Sequence, residues 1–229
     1  EELPKADVET TAILLDRRRY PDDEVAIIYG CCAQHLICEH ARVFGSVLRS
    51  APQVSLSSVW LPKATSVIGE DAFWDCSELK HVSLPVVDSI GAKAFSGCRS
   101  LKSVPLVVRD LGDAAFLYCG DLRTVSLPFA RAASCELFWG CLRLTSVSMP
   151  VATEVLNCAF AICHCLTSVS LPEVRRVGEC AFAGCVSLTS VSLPAARRVE
   201  ERAFCGCERL ETVFLPSAEI GRASWRERV

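Results

Sequence analysis

Apolar residues recur along most of this chain with a period of 22 residues, shortened once to 21. A phenylalanine marks each period, and Cys, Leu and Val follow it after three, six and nine residues. The seven phenylalanines are Phe73, Phe95, Phe116, Phe138, Phe160, Phe182 and Phe204. Seven copies in one phase predict a repeat architecture, in which each unit buries its apolar side only by stacking on its neighbours.

Each unit divides into a predicted strand and a return segment. In "LTSVSLP" the Val and the last Leu alternate with Ser, which predicts a short strand with one apolar side. Proline ends strand pairing, and it follows in every copy except one, where Val107 takes its place. The return segment, "IG..AF..C", is expected to be a turn or a short helix with Ile, Ala, Phe and Cys inside.

The complete unit, I-G-x-x-A-F-x-x-C-x-x-L-x-x-V-x-L-P, resembles the leucine-rich repeats of the BspA-like type over about Leu56 to Ser217. Two local departures are the missing Ala before Phe138 and Pro105 inside a predicted strand. We therefore expect an α/β solenoid, a right-handed leucine-rich repeat of about seven coils of 22 residues. Its parallel sheet should line the concave side, with short helical or irregular segments on the convex side.

The repeat divides the chain into three predicted parts. Residues 1–53 lack it and are interpreted as an N-terminal cap or the end of an upstream region, and residues 54–218 form the solenoid. Residues 219–229, "EIGRASWRERV", differ at one position from the translation of a common sequencing adapter, which predicts a non-native tail. The alternative is that Ile220, Gly221 and Ala223 begin another repeat. Because the chain starts with Glu1 rather than Met, we expect a fragment.

The N-terminal part predicts an amphipathic helix that caps the solenoid. The residues expected near one helical face are Leu36, His40, Val43, Val47 and Leu48. The same segment contains the cluster Cys31, Cys32, His35, Cys38 and His40. On a helix, Cys31, His35 and Cys38 would share a face and could offer three zinc ligands, but the spacing matches no zinc family. Buried cysteines in a cap are the favoured interpretation, and the end of a different domain is a third.

Cysteine is unusually frequent, with 15 residues, of which seven share the phase three residues after the phenylalanine. Stacked coils place equivalent Cα atoms roughly 5 Å apart, within the range of a disulfide. Because side chains in a ladder run parallel, free buried thiols are expected, which favours a reducing, cytoplasmic compartment. The family resemblance leaves the cell surface open. No C-x2-C pair is present, so no metal site or cofactor is predicted in the repeats.

Two surfaces of the predicted solenoid are candidates for binding a partner. The concave residues are Trp60, His81, Ser83, Thr124, Ser126, Ser146, Ser168, Ser190 and Phe214. Aromatic residues at the two ends of this hydroxyl-rich field, Trp60 and Phe214, would anchor a partner. The alternative is that small hydroxyl residues simply suit a tightly stacked sheet.

The second candidate surface is an edge of arginines, where an acidic partner could dock. Its members are Arg109, Arg131, Arg175 and Arg197. The alternative is a solvated charged edge, in which nearby carboxylates offset the repulsion between stacked arginines. The candidate carboxylates are Glu154, Glu173, Glu179, Glu200 and Glu201.

Charge and motifs narrow the function classes further. The net charge of −3 gives no reason to expect nucleic acid, and polar residues interrupt the most apolar stretch, 25–38, so no membrane span is predicted. None of the four histidines shares a repeat phase with a nucleophile and a carboxylate. The favoured function is a non-catalytic interaction or scaffold module with a protein partner, and the resemblance implies interaction or adhesion roles. The alternative is the repeat region of a larger enzyme or surface adhesin.

Overall fold

The computed structural model describes residues 12–15, 35–38, 43–44, 56–61, 67–84, 87–216 and 219–220. In the repeat region marked by Phe73 to Phe204 the chain forms a parallel β-solenoid of about seven coils with a spacing of about 22 residues, which confirms the predicted fold. The strands before this region extend its rows. Each coil contains one long strand, one short strand and tight bends between them. No helix occurs in the described ranges. Of the two forms expected for the return segments, helical and irregular, the irregular form is therefore the one present.

The long strands form the first row of the solenoid, and those from Ser58–Trp60 onward carry the predicted pattern of Val followed two residues later by Leu or Met. They are Ala12–Leu15, His35–Cys38, Ser58–Trp60, His81–Ser83, Ser103–Pro105, Thr124–Ser126, Ser146–Ser148, Ser168–Ser170, Ser190–Ser192 and Thr212–Phe214. Neighbouring strands pair in parallel with equivalent residues in register, so that Val125 pairs with Val104 on one side and Val147 on the other. The repeat phase of the sequence is therefore the strand register.

A second row of two-residue strands runs through the return segments, and the sequence pattern did not predict it. Its members are Val43–Phe44, Val67–Ile68, Ser89–Ile90, Asp110–Leu111, Ala132–Ala133, Glu154–Val155, Arg176–Val177, Arg198–Val199 and Glu219–Ile220. Two residues are too few to show an alternating pattern, which explains the omission.

The row of long strands is divided into three sheets where a single sheet was expected. One interruption separates His81–Ser83 from Ser103–Pro105, where only the isolated bridge between Leu84 and Leu106 remains. Pro105 stands in the strand at this interruption and has no backbone N–H to donate. The other interruption separates Ser146–Ser148 from Ser168–Ser170.

The predicted N-terminal helix is wrong over the residues that are described. His35–Cys38 is a strand that pairs with Ala12–Leu15 and Ser58–Trp60, and Val43–Phe44 pairs with Val67–Ile68. Strand pairing thus crosses the predicted boundary at residue 53. A short apolar run fits both the helical and the extended period, and here the neighbouring strand edge selects the extended form.

The C-terminal end of the described chain continues the second row. Glu219–Ile220 pairs with Arg198–Val199. The alternative interpretation of these residues, that they begin a further repeat, requires this pairing. Residues 221–229 lie outside the described part, as do Cys31, Cys32, His40, Val47 and Leu48 of the predicted cap. The predicted division into three parts remains a prediction.

The seven marker phenylalanines form one stack through the core. All are buried, and the ring centroids of successive phenylalanines lie 5.1 to 5.6 Å apart with nearly parallel planes. Offset stacking at this distance is a favourable aromatic arrangement. The stack is continuous because the strand register repeats the same position in every coil.

The bend around each phenylalanine contains two residues with positive φ. The first precedes the phenylalanine by two positions, and the second follows it by two positions. The later position is Gly97, Gly140, Gly184 or Gly206 in four coils and Asp75, Tyr118 or Ile162 in the others. Glycine adopts this left-handed conformation without steric cost, which explains the Gly of the "AF.GC" motif. The motif therefore records a backbone requirement of the bend.

Candidate functional site

The outward side chains of the long strands form a surface that we call the strand face. In Thr124–Ser126 the central valine is buried and both flanking hydroxyl residues are exposed. Ser168–Ser170 repeats this arrangement two coils later. The alternation follows from the extended backbone, since apolar Val faces the core and Ser or Thr faces solvent. The strand face is therefore a regular array of hydroxyl groups.

The predicted binding residues of the repeats lie on this face with different degrees of exposure. The exposed ones are His81, Thr124, Ser126, Ser146, Ser168 and Phe214. Ser83 and Ser190 are half-buried, and Phe214 is the most exposed large apolar side chain, at 57%.

The predicted position of Trp60 needs correction. Its backbone pairs with Ser83 on one side, but it also pairs with Ile37 on the other, so Trp60 does not end its column. The strand His35–Cys38, which was assigned to a helix, supplies this extra neighbour. The side chain of Trp60 lies outside the described part of the structure.

Three exposed apolar residues, Val107, Phe129 and Val151, follow the long strands of three successive coils, and we call them the apolar stripe. Their exposed fractions are 54%, 51% and 45%. The strand pattern did not single out these residues, because they come after the strand positions. The contrast with later coils is visible in the sequence, since Glu173 and Ala195, which are polar or small, follow the proline there.

The arginine edge, formed by Arg109, Arg131, Arg175 and Arg197, lies just beyond the apolar stripe in the chain, and all four residues are exposed. Backbone hydrogen bonds fix its spacing: the Arg175 N–H donates to the Thr153 carbonyl at 2.7 Å, and the Arg197 N–H donates to the Arg175 carbonyl at 2.8 Å. The edge is thus an interrupted row of positive charge, because Thr153 stands between Arg131 and Arg175. In its first two coils it follows Val107 and Phe129 of the apolar stripe after two residues.

Glu200, one of the carboxylates expected to offset the charge of the arginine edge, binds Arg176 and Arg198, which follow edge residues in the sequence. Glu200 Oε1 accepts hydrogen bonds from Arg176 Nη2 at 2.8 Å and Nε at 3.1 Å, and it lies 3.6 Å from Arg198 Nε. The hydrogen bond and the charge of Glu200 raise the pKa of Arg176. Within the described part of the chain, none of the ion pairs involves a member of the arginine edge. Its charges therefore remain available to solvent or to a partner.

The seven cysteines that follow the phenylalanines form a buried column, the cysteine ladder, and all are free thiols. Its members are Cys76, Cys98, Cys119, Cys141, Cys163, Cys185 and Cys207. From Cys98 onward, each Sγ donates to the carbonyl of the phenylalanine in the preceding coil, at 3.1 to 3.2 Å. Burial raises the pKa of the Cys76 thiol to about 12 and raises the pKa of Cys98 and Cys141 as well. The ladder is therefore a set of inert thiol donors in the core.

The remaining candidates for chemistry are metal ligands and histidines. In the part of the chain that the structure covers, no three His, Cys, Asp or Glu residues group as metal ligands. The zinc hypothesis for Cys31, His35 and Cys38 depended on helical spacing, and His35–Cys38 is extended. His81 opens a long strand, whereas His164 is exposed in a bend several coils later. The described residues contain no helix with the length and apolarity needed to cross a bilayer.

The repeat phase and the geometry agree with one known family. The model of the BspA type leucine-rich repeat region matches residues 52–164 and 131–224, with six copies. The chain belongs to this family. The matched ranges include the whole row of marker phenylalanines and the cysteines that follow them. Comparison with curated protein sequences finds no match.

Solved structures of bacterial leucine-rich repeat proteins share the fold. A leucine-rich cell surface protein from Faecalibacterium prausnitzii A2-165 superposes with a TM-score of 0.61 at 22% identity, covering 82% of this chain and 64% of its own. The pneumococcal vaccine antigen PcpA gives a TM-score of 0.52 at 18% identity, covering 93% of this chain and 67% of its own. The chain thus spans about two thirds of the length of these two proteins.

Proposed function

We propose that this BspA-type repeat is a non-catalytic module that binds a protein partner through the strand face, the apolar stripe and the arginine edge. The observation that carries the proposal is the adjacency of three unlike rows on one rigid frame. Exposed hydroxyl groups of Ser and Thr come first, exposed Val107, Phe129 and Val151 follow the strands, and the exposed arginines come next.

This combination has the composition of a protein interface. Aromatic and Arg residues are enriched at interface hot spots, where they lie in desolvated surroundings. Phe129 stands between two apolar neighbours of adjacent coils, and Arg131 follows it two residues later. A matching partner would offer apolar side chains to the stripe and carboxylates to the edge, since opposite charge guides association and register.

Peptide selection against the purified chain tests the proposal. A library of random peptides is selected for binding, and the affinity of the recovered peptides is measured for wild type and variants. We expect enrichment of apolar and acidic residues, and a loss of about fivefold or more for Phe129→Ala and Arg131→Ala, as hot-spot truncations above about 1 kcal/mol give.

Tyr118→Ala is the matched control for this experiment. Tyr118 is 53% exposed, against 51% for Phe129, but it lies in the bend of the return segment. The control should leave affinity unchanged. Two results would place binding elsewhere and refute the proposal. In the first, the peptides bind Phe129→Ala and Arg131→Ala as tightly as wild type. In the second, they lose affinity only with Tyr118→Ala.

A second candidate is the repeat region of a surface adhesin. It is favoured by family membership and by the Faecalibacterium protein of the same fold, which is described as a cell surface protein. Protease treatment of intact source cells tests it, because an exposed adhesin is cleaved while an internal protein is protected. The other alternative, a larger enzyme, remains a prediction from the sequence.

A further inference from the structure

Two cysteines outside the ladder occupy the same phase of adjacent coils. Cys158 and Cys180 each stand two residues before a marker phenylalanine, 22 residues apart. Backbone hydrogen bonds hold these coils in register, since the Cys158 N–H donates to the Glu179 carbonyl at 2.9 Å and the Phe160 N–H donates to the Ala181 carbonyl at 2.8 Å. Paired strands lie about 4.8 Å apart, a separation that falls within the Cα range of disulfides.

The side chains of this pair differ from those of the cysteine ladder in both exposure and partner. Cys158 and Cys180 are half-buried, and the side chain of Cys158 lies close enough to Cys180 to act on the pKa of its thiol. The ladder thiols Cys163 and Cys185 are buried at the same coil spacing, and each donates to a phenylalanine carbonyl. The ladder thiols are therefore held by backbone carbonyls in the core, whereas the outer pair is open to solvent.

We propose that Cys158 and Cys180 form a redox-active dithiol, which closes to an intramolecular disulfide on reaction with a small-molecule disulfide such as oxidised glutathione. The thiols are partly accessible from solvent and occupy equivalent positions in adjacent coils that are in register. Closing the bond requires side-chain rotation that shortens the sulfur separation to about 2.05 Å. The product ties two neighbouring coils together at the bend of the return segment.

The reaction balances as two successive thiol–disulfide exchanges. One protein thiolate attacks a sulfur of the oxidant, the S–S bond of the oxidant breaks, and the first small thiolate leaves and takes up a proton. The second protein thiolate attacks the sulfur of the mixed disulfide, and the second small thiolate leaves. Two protein thiols lose two protons and two electrons, and one small disulfide becomes two small thiols.

The surroundings of the pair slow this reaction at neutral pH. Burial raises the pKa of both thiols, and the facing charges and thiols that raise it further are Cys180, Glu136, Glu179 and Cys135 for Cys158, and Glu179 and Cys205 for Cys180. Arg202 acts in the opposite direction on Cys180. Because the thiolate is the nucleophile, the rate of closure should rise as pH rises.

Peptide mapping of the oxidised chain tests the proposal. The full chain is incubated with oxidised glutathione, remaining thiols are alkylated, and the peptides are identified by mass spectrometry. We expect one cross-linked pair that joins Cys158 to Cys180 with the loss of two hydrogen atoms, and ladder cysteines that remain free until the chain is unfolded. Dithiothreitol should restore both thiols.

Single substitutions give the controls for the map. Cys158→Ser and Cys180→Ser should each abolish the cross-link, while Cys205→Ser should leave it in place because Cys205 is the neighbouring thiol outside the pair. Glutathione retained on Cys158 and Cys180, or a bond from Cys180 to Cys205, would overturn the proposal. The wild-type map decides the matter by itself if a serine variant does not fold.

Discussion

The thiol of Cys141 donates a hydrogen bond to the carbonyl of Phe116, 25 residues earlier, at 3.2 Å. The same carbonyl accepts the Cys119 N–H at 3.3 Å within its own coil. Cys141 thus links its own coil to the bend around Phe116 in the preceding coil. Sequence alone identified the cysteine ladder as apolar filling of the core, and the structure adds its role as a donor between coils.

Removal of the Cys141 thiol should destabilise the fold. Cys141→Ala leaves a small cavity and removes the bond to the Phe116 carbonyl, so we expect a loss of about 1 to 2 kcal/mol in the free energy of unfolding. Cys141→Ser retains a donor and should cost no more than Ala. Urea denaturation measures both, with exposed Cys165→Ala as a control within about 0.5 kcal/mol of wild type. A serine variant much less stable than alanine would show that the thiol acts only by packing.

Alkaline pH should weaken the fold through the cysteine ladder. The pKa of Cys76 is raised from 9.0 to about 12, and burial raises the pKa of Cys98 and Cys119 too. The pKa of the Cys76 thiol is higher in the folded chain than in the unfolded chain, so its contribution to folding stability is complete below pH 9.0. That contribution is lost as pH rises towards 12. Each thiol should contribute a slope of about 1.4 kcal/mol per pH unit in that window.

Urea denaturation at neutral pH and at several pH values above 9.0 checks this dependence. The Cys141→Ala variant lacks one ladder thiol, so its stability should fall less steeply with pH than that of wild type. Equal slopes for the two proteins would contradict the assignment of the effect to the ladder.

Truncation of a phenylalanine should cost more inside the stack than at its end. The ring of Phe138 stacks on Phe116 and on Phe160, with centroids 5.6 and 5.5 Å away. Phe138→Ala should therefore lose about 3 to 5 kcal/mol of unfolding free energy. Among the described rings Phe204 stacks only on Phe182, so Phe204→Ala should lose less. Thermal and urea unfolding compare the two, and equal losses would show that stacking on a second ring adds nothing.

A glycine in the return segment should resist substitution because another backbone lies against it. A Cβ added to Gly112 would lie 2.3 Å from the backbone N of Ala92, a contact that cannot be relieved by moving a side chain. We expect Gly112→Ala to destabilise the fold by about 1 to 3 kcal/mol, the usual cost of overpacking. Gly120→Ala is the matched control, since nothing lies within 4 Å of its added Cβ. Comparable midpoints of urea unfolding for the two variants would refute the contact.

The amino-acid sequence by itself determined the repeat, its period and the identity of the core residues. Phe73 and Cys76 recur with their equivalents at fixed spacing, and fixed spacing in a solenoid places equivalent residues in register. The family and the inward side of the long strands from Ser58–Trp60 onward followed from the same pattern. These features are readable because each coil repeats one local pattern, so a single period describes the whole core.

Tertiary structure alone decided the features that depend on contact between coils. His35–Cys38 became a strand because it pairs with Ser58–Trp60, although its short apolar run also fits a helix. Glu200 binds Arg176 and Arg198 instead of the arginine edge, and Cys163 donates to the carbonyl of Phe138. Sequence spacing gives the distance between coils, but the direction of each side chain and its nearest partner are set only when the coils stack.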